Sequence, residues 1–372
     1  MKIEGDGRMG SINVQREIEQ LFKKKVEKDS NIHNAYLLVH SEKLDADIRL
    51  ATGNDAIHPE QPYYIASVSK LFTAVLFGQL VEQDRCSYDD PISRYIQADV
   101  LENLHIYKDK DYTNEIKIKH LLNHTSGLHD FLEDKPLHGK SMIEQILENP
   151  EKKWTPIEVL NWAKEHMNSH FPPEKGFHYS DTGYHLLGLI LEHITNMPYH
   201  EQLKRHIFDP LGMVHSHYIR MEPLEKNPFD IAKLSVRHTD ITHYPSMSFV
   251  FAGGGIVSTT SDLFKFLKAL VHHQLLKKET MDQMKSDPGK FTLGIDYGYG
   301  VMNIKTVPIF MPAKLNSWGN AGSTGSFMFY HPATEAYLIG TFNHFGYGSK
   351  GIRFMLQLID KLQKAHKKQE HP

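Results

Sequence analysis

A serine followed three residues later by a lysine, in Ser67-Val68-Ser69-Lys70, is the most chemically suggestive spacing in the chain. A serine hydroxyl is a weak nucleophile until a base takes its proton. On a helix, residues three apart share a face, so the Lys70 amine can reach Ser67 without a loop to place it. At a helix start the Ser67 N–H also lacks an intrahelical partner. It can then face a developing oxyanion, where the positive helix end favours negative charge. By itself the tetrapeptide is common, and a helix start with an N-cap serine and a solvated lysine also explains it. The next seven residues argue for chemistry. The run Leu71-Phe72-Thr73-Ala74-Val75-Leu76-Phe77 would bury this helix and carry Lys70 inside, where desolvation lowers a lysine pKa.

Two further stretches could complete a site. Tyr179-Ser180-Asp181 stands directly before an amphipathic run. A buried tyrosine beside a lysine can act as a general base, because the cation favours the phenolate. Ser180 or Asp181 also suits an ordinary N-cap with Tyr179 as a packing aromatic, and both readings can hold together. The other stretch runs from Trp318 to Ser326 as Trp-Gly-Asn-Ala-Gly-Ser-Thr-Gly-Ser. So many small residues ahead of a strand imply close approach to the backbone. N–H groups along such an edge could supply a second oxyanion donor, Ser323 being the favoured residue; a plain glycine-rich turn is the alternative. Ala321-Gly322-Ser323-Thr324-Gly325 also loosely fits the nucleophile elbow of α/β-hydrolases. That fold needs a helix after the serine, then an acid and a histidine. Here a strand comes next, and the only later aspartate is Asp360.

The surrounding pattern predicts the elements that hold these groups. Val14, Ile18, Leu21, Phe22 and Val26 share one face of a helix over 12–30. Strand-like runs come next at 35–40 and 48–52, then a long buried helix over 66–83. From about 84 to 237 the signal is mostly helical, with helices over 116–123, 155–167 and 181–196. The one at 155 starts with a threonine N-cap and Pro156. A further helix is expected from 261 to about 270. Runs at 291–304, 325–331 and 336–342 are aromatic and β-branched, as antiparallel strands are. A last helix is expected over 351–366. The fold class is therefore α/β (α+β): an antiparallel sheet built from both chain ends, flanked by terminal helices, with an inserted mostly helical lobe. Residues 1–11 read as a tag or disordered start. Residues 12–372 read as one module, with a sheet lobe (12–66 plus 240–372) and a helical lobe (67–239). A cleft between the lobes is the natural ligand site.

Composition narrows the classes. Of 372 residues, 40% are hydrophobic and 23% charged, which suits a globular protein and excludes a disordered one. The 42 basic residues against 45 acidic give a net charge of −3, so nothing advertises nucleic acid. Cys86, the only cysteine, can make neither an internal disulfide nor a Cys-based zinc site. His120 and His124 stand at helical spacing but lack the glutamate of a His-Glu-x-x-His motif and a third ligand, so no metal is expected and exposed or hydrogen-bonded histidines are the favoured reading. The longest apolar run, 71–81, is interrupted by Thr73, Gly78 and Gln79 and is short for a membrane span. Met1 to Arg8 has no apolar signal-peptide core. Location is then cytoplasmic as the chain stands, or extracytoplasmic if a leader has been removed.

With these motifs assembled, the chain resembles the serine β-lactamase and penicillin-binding-protein superfamily, nearest to class C enzymes and their esterase and D-stereospecific peptidase relatives. Ser67-Val68-Ser69-Lys70 resembles that family's nucleophile motif and Tyr179-Ser180-Asp181 its Tyr-Ser-Asn motif. Asn320-Ala321-Gly322 stands where the family has Lys-Thr-Gly or His-x-Gly. Leu121 to Leu128, Asp209 to Met213 and Ala252 to Thr259 match as well, in the family's order, from about residue 15 to 365. The resemblance implies that Ser67 is acylated, that Lys70 and Tyr179 shuttle protons, and that the N–H groups of Ser67 and Ser323 bind the oxyanion. It makes Asp181, Asn320, Ala321 and Gly322 substrate-binding positions and needs no cofactor. The substrate would be a small molecule or short peptide: an ester, a D-amino-acid peptide or a β-lactam-like compound. A catalytically weak relative that only binds penicillin or peptidoglycan is the rival.

Two departures carry expectations. Asp181 replaces an asparagine, which should keep Lys70 charged and make Tyr179 more acidic. Asn320 replaces a lysine or histidine that usually meets a substrate carboxylate, a charged hydrogen bond contributing about 1.5–3 kcal/mol. Unless Lys314 or Arg353 reaches that spot, the protein should turn over β-lactams poorly and favour esters or amides without the carboxylate.

Overall fold

The computed structural model of the chain describes residues 5–53, 57–219, 221, 223–307 and 312–370. Eight strands form one antiparallel sheet: β1 (Asn34–Ser41), β2 (Ala46–Gly53), β3 (Gly289–Thr292), β4 (Ile295–Tyr297), β5 (Met302–Ile304), β6 (Ser317–Ala321), β7 (Phe327–His331) and β8 (Ala336–Thr341). Their spatial order is β3-β4-β5-β6-β7-β8-β1-β2. Strand β8 closes the sheet by pairing with β1, Thr341 opposite Tyr36 and Tyr337 opposite His40. Both chain ends therefore build the sheet, as the pattern predicts. The helices that concern the site are α1 (Gly5–Glu27), α2 (Ser69–Glu82), α3 (Ile118–Leu122), α4 (Pro156–His166), α5 (Asp181–Thr195), α6 (Thr260–Val271) and α7 (Gly348–Glu370).

The period of two along a strand sends alternate side chains to opposite faces. Ala35, Leu37, Val39, Phe327, Phe329 and Leu338 face α1 and α7, meeting Ile18, Phe22, Phe354 and Leu358. Tyr36, Leu38, Met328 and Ile339 face the other way, into a core shared with α6 and α2. Helix α2 is apolar all round and buried along nearly its whole length, as interior helices are. Burying each of Leu71, Phe72, Val75 and Phe77 is worth about 1.5–3 kcal/mol. Phe72 stacks on Phe266 of α6 with ring centroids 3.7 Å apart. Helix α4 starts with the expected Thr155 cap, reciprocated by Glu158, and Pro156. Among the described residues no helix is long and apolar enough to cross a membrane.

Several boundaries differ from the sequence pattern. Residues 1–4 lie outside the described residues, and α1 takes in the rest of the stretch read as a tag. The helix expected over 116–123 is only α3, five residues long. The run 291–304 is cut into short strands by turns with positive φ at Gly294 and Gly300. The small-residue stretch begins as a strand itself. Ser317, Trp318 and Gly319 of β6 pair with β5, so only Asn320 and Ala321 project beyond that neighbour as a free edge.

Candidate active site

Ser67 lies in a 3₁₀ turn, Ala66–Val68, that leads into α2 rather than in the first α-turn itself. Ala66 holds a left-handed conformation (φ +48°), an uncommon one for a residue with a Cβ and a kind of strain that gathers at functional sites. Lys70 is 0% exposed. Its Nζ donates to Ser67 Oγ at 3.1 Å and to the Gly253 carbonyl at 2.9 Å, and it pairs with the Asp181 carboxylate. Asp181 opens α5, whose N-cap Ser180 accepts the Gly183 N–H. The Tyr179 ring lies 4.9 Å from Lys70 Nζ, and its phenol shares a side-chain hydrogen bond with Ser67. The structure thus brings Ser67, Lys70, Tyr179 and Asp181 into one cluster.

Gly253 makes room for that cluster. A Cβ there would come 2.7 Å from Asp181 Oδ1 and 3.3 Å from Lys70 Nζ, too close for a real side chain. Asp130 lies behind Asp181, its Oδ1 accepting the Asp181 N–H at 3.2 Å and the Leu132 N–H at 3.1 Å. Burial, and next the Asp181 charge, hold the Asp130 carboxyl well above the usual carboxylate range.

Asp181 acts on Tyr179 with the opposite sign to the one expected. Burial raises the Tyr179 phenol well above its ordinary pKa, and the Asp181 carboxylate pushes it further the same way. A neighbouring anion opposes a second negative charge, and the hydrogen bond from Ser67 only partly offsets this. Tyr179 is therefore a neutral phenol that can donate a proton.

Nor do His120 and His124 act together. His120 Nε2 meets Glu174 at 2.8 Å. His124 packs its ring against Tyr179 (4.3 Å) and Tyr297 (4.6 Å) and accepts the Ser180 N–H at Nδ1. Burial, and then the Lys70 charge, keep His124 neutral, well below the usual histidine range.

Asn320 is turned inward. Its Nδ2 donates to the Tyr297 hydroxyl at 3.0 Å and the Gly300 carbonyl at 2.8 Å, and its Oδ1 accepts the Ala321 N–H at 2.7 Å. The Gly322 N–H goes to the Ser326 carbonyl at 2.8 Å. A Cβ on Gly322 would fall 2.9 Å from the Ala66 Cβ, so this glycine lets the β6–β7 turn lie against the nucleophile turn. The N–H groups of Ala321 and Gly322 are engaged, and Ser323 and Thr324 of this turn line a cavity together with Ser67.

The same cavity takes in Ala66 and Gly254. Asp181, Gly253 and Ser323 flank Ser67 on one side, and Phe131, Ile146, Val236, Ile241, Met247 and Phe249 form an apolar wall opposite. Neither Lys314 nor Arg353 lines it; Lys314 pairs with Asp360 of α7. The sequence pattern alone does not reveal the wall, nor the roles of Gly253 and His124. The glycine and the histidine do stand within stretches that match the family, 252–259 and 121–128, and this was the signal that could have found them.

Comparison with known proteins gives the family and the fold. The family profile described as Beta-lactamase matches residues 20–358. The chain is 28% identical over 256 residues to Penicillin-binding protein 4* of Bacillus subtilis (strain 168), covering 64% of this chain and 51% of that protein. It is 23% identical over 247 residues to Teichoic acid D-alanine hydrolase of Staphylococcus aureus, covering 65% of this chain and 54% of the other. The chain thus spans about half the length of these curated relatives. In fold it is similar to D-amino acid amidase from Ochrobactrum anthropi SV3, with a TM-score of 0.75 at 23% identity, covering 96% of this chain and 99% of that one.

Proposed function

The chain belongs to the Beta-lactamase family, and we propose that it is a serine hydrolase that forms an acyl-enzyme on Ser67 and cleaves esters or amides presenting an apolar group. The observation that carries this reading is the position of Lys70, which contacts Ser67 Oγ, the Gly253 carbonyl and the Asp181 carboxylate at once, beside Tyr179.

Attack by Ser67 Oγ on the substrate carbonyl releases a proton to Lys70 Nζ, which passes one of its own to Asp181. The N–H groups of Ser67 and Ser323 receive the oxyanion. Tyr179, kept neutral by its surroundings, protonates the leaving alcohol or amine, and the proton held by Asp181 returns to it through Lys70. Water then attacks the acyl-Ser67 ester with the same groups in reverse roles.

The cavity bears on the substrate. Among the described residues its lining includes no lysine, arginine or histidine, Lys70 is already engaged with Asp181 and Gly253, and Asn320 is engaged inside the sheet, so the described lining offers a substrate carboxylate no free cation. This supports poor turnover of penicillins and cephalosporins. The apolar wall suits an acyl chain or an apolar amino-acid side chain. The relatives named for D-alanine and D-amino acids make D-aminoacyl esters and amides the peptide-like class to assay.

The test is a panel of chromogenic short- and medium-chain esters, a D-phenylalanine amide and a chromogenic cephalosporin, with intact-mass analysis. Ester or D-aminoacyl turnover with an adduct on Ser67 is expected, and little cephalosporin hydrolysis. A protein that binds these compounds without forming an adduct or turning them over would be the silent relative instead.

A further inference from the structure

Asp134, His170 and His178 come from irregular chain and meet at one point. Asp134 Oδ2 lies 2.9 Å from His170 Nε2 and 3.0 Å from His178 Nε2. The two imidazole rings stack with centroids 3.5 Å apart, and one ligand atom from each of the three residues lies within 4.8 Å of the others. Oδ2 also accepts the Asp130 N–H at 2.8 Å, so a single oxygen faces three nitrogen atoms while both rings aim the same edge at it.

We propose that these three side chains form a metal site for Zn²⁺ or a similar first-row ion. Two imidazoles and a carboxylate suit zinc, cobalt or nickel rather than magnesium or calcium. With metal–ligand distances of about 2.0–2.2 Å, a tetrahedral shell keeps its donor atoms roughly 3.3–3.5 Å apart. The two Asp134–histidine distances need to open by only a few tenths of an ångström to admit the ion. All three side chains are partly exposed, so the ion enters from solvent and water completes the shell.

The site's role rests on what it joins. Asp134 ends the turn that carries Phe131 and Leu132 of the cavity lining, and His178 directly precedes Tyr179. These segments are otherwise laced by backbone bonds such as His170 N–H to the Gly127 carbonyl (2.8 Å) and His178 N–H to the His124 carbonyl (3.0 Å). A bound ion fastens the cavity wall to the segment presenting the phenol. It is a positioning site, separate from the chemistry at Ser67.

The test uses the full chain, stripped with a chelator and dialysed, then titrated with Zn²⁺ alone by calorimetry and with Co²⁺ by visible absorption. One site per chain, a tetrahedral cobalt spectrum and a melting temperature raised by Zn²⁺ are expected. Because the chain holds 25 histidines, the variants decide the outcome. His170→Ala and Asp134→Asn should each weaken binding by more than the ~10–100-fold that loss of an outer-shell partner costs, and should abolish the cobalt band. His238→Ala, at an exposed histidine elsewhere, should change neither. Absence of stoichiometric binding overturns the proposal, and so does tight binding that survives in folded His170→Ala or Asp134→Asn protein.

Discussion

On one side of the cleft every contact involves a charge or a proton: Lys70 against Asp181, Ser67 and the Gly253 carbonyl, with Tyr179 alongside. On the other side Phe131, Ile146, Val236, Ile241, Met247 and Phe249 offer only apolar surface. The two sides obey different arithmetic. Buried charges have no water to replace a lost partner, so their effects are large and mutually dependent. Apolar surface contributes in proportion to area, so the wall's effects are small and nearly additive.

Removing the nucleophile strains that contrast most. Ser67→Ala should lower ester turnover about 10⁵–10⁶-fold, the scale seen when a serine hydrolase loses its nucleophile, while leaving ligand binding by the wall intact. Residual turnover within tenfold of the parent would place the chemistry elsewhere.

Next comes the ion pair. Asp181→Ala leaves Lys70 buried without its countercharge and should cost about 3–5 kcal/mol in urea unfolding. Asp181→Asn keeps the shape but removes the group that holds the proton from Ser67, so turnover should fall. It also removes the anion that raises the Tyr179 pKa, which the profile of the residual activity reads. Without it the phenol ionises more easily, so the alkaline limb of the pH–rate profile, where Tyr179 must hold its proton, should move to lower pH. Superimposable profiles would uncouple Asp181 from Tyr179.

For the wall, each methylene added to an ester's acyl chain contributes about 0.8 kcal/mol when buried, or roughly a fourfold rise in kcat/KM until the cavity is full. Met247→Ala should flatten that slope while sparing acetyl esters. A slope unaffected by Met247→Ala would remove the wall from substrate recognition.

The smallest effect concerns Ala66. Its left-handed conformation costs about 1–2 kcal/mol, and glycine would relieve this while adding about 0.5–1 kcal/mol of unfolded-chain entropy. Ala66→Gly should therefore gain only roughly 0.5 kcal/mol in a thermal melt, a change in the turn that neither side of the cleft should register.

What could be read in advance was local. Ser67 and Lys70 announce themselves because three residues of helical spacing fix their meeting, and the strands of both chain ends show in their residue types and turn punctuation. Tyr179 was reachable through its tripeptide. The sign of the charge acting on Tyr179 was not, because it depends on how deeply the phenol is buried. Nor was the inward turn of Asn320, which depends on Tyr297 and Gly300 from other parts of the sheet. The wall draws single residues from 131–146 and 236–249, loops and short helices without a period to detect. Asp134 stands 36 and 44 positions from its histidines, and no spacing rule links them.

The pairing of β1 with β8 has a consequence for how the chain is made. Tyr36 must wait for Thr341, and a ribosome adding about 5–20 residues per second needs roughly 15–60 s to deliver it. Until then β1 can pair only with β2 and leaves one hydrogen-bonding edge open, a template for association with other nascent copies. Slow translation or truncation ahead of Ala336 should therefore yield aggregates, whereas a release of the finished chain lets the last strand seal the sheet.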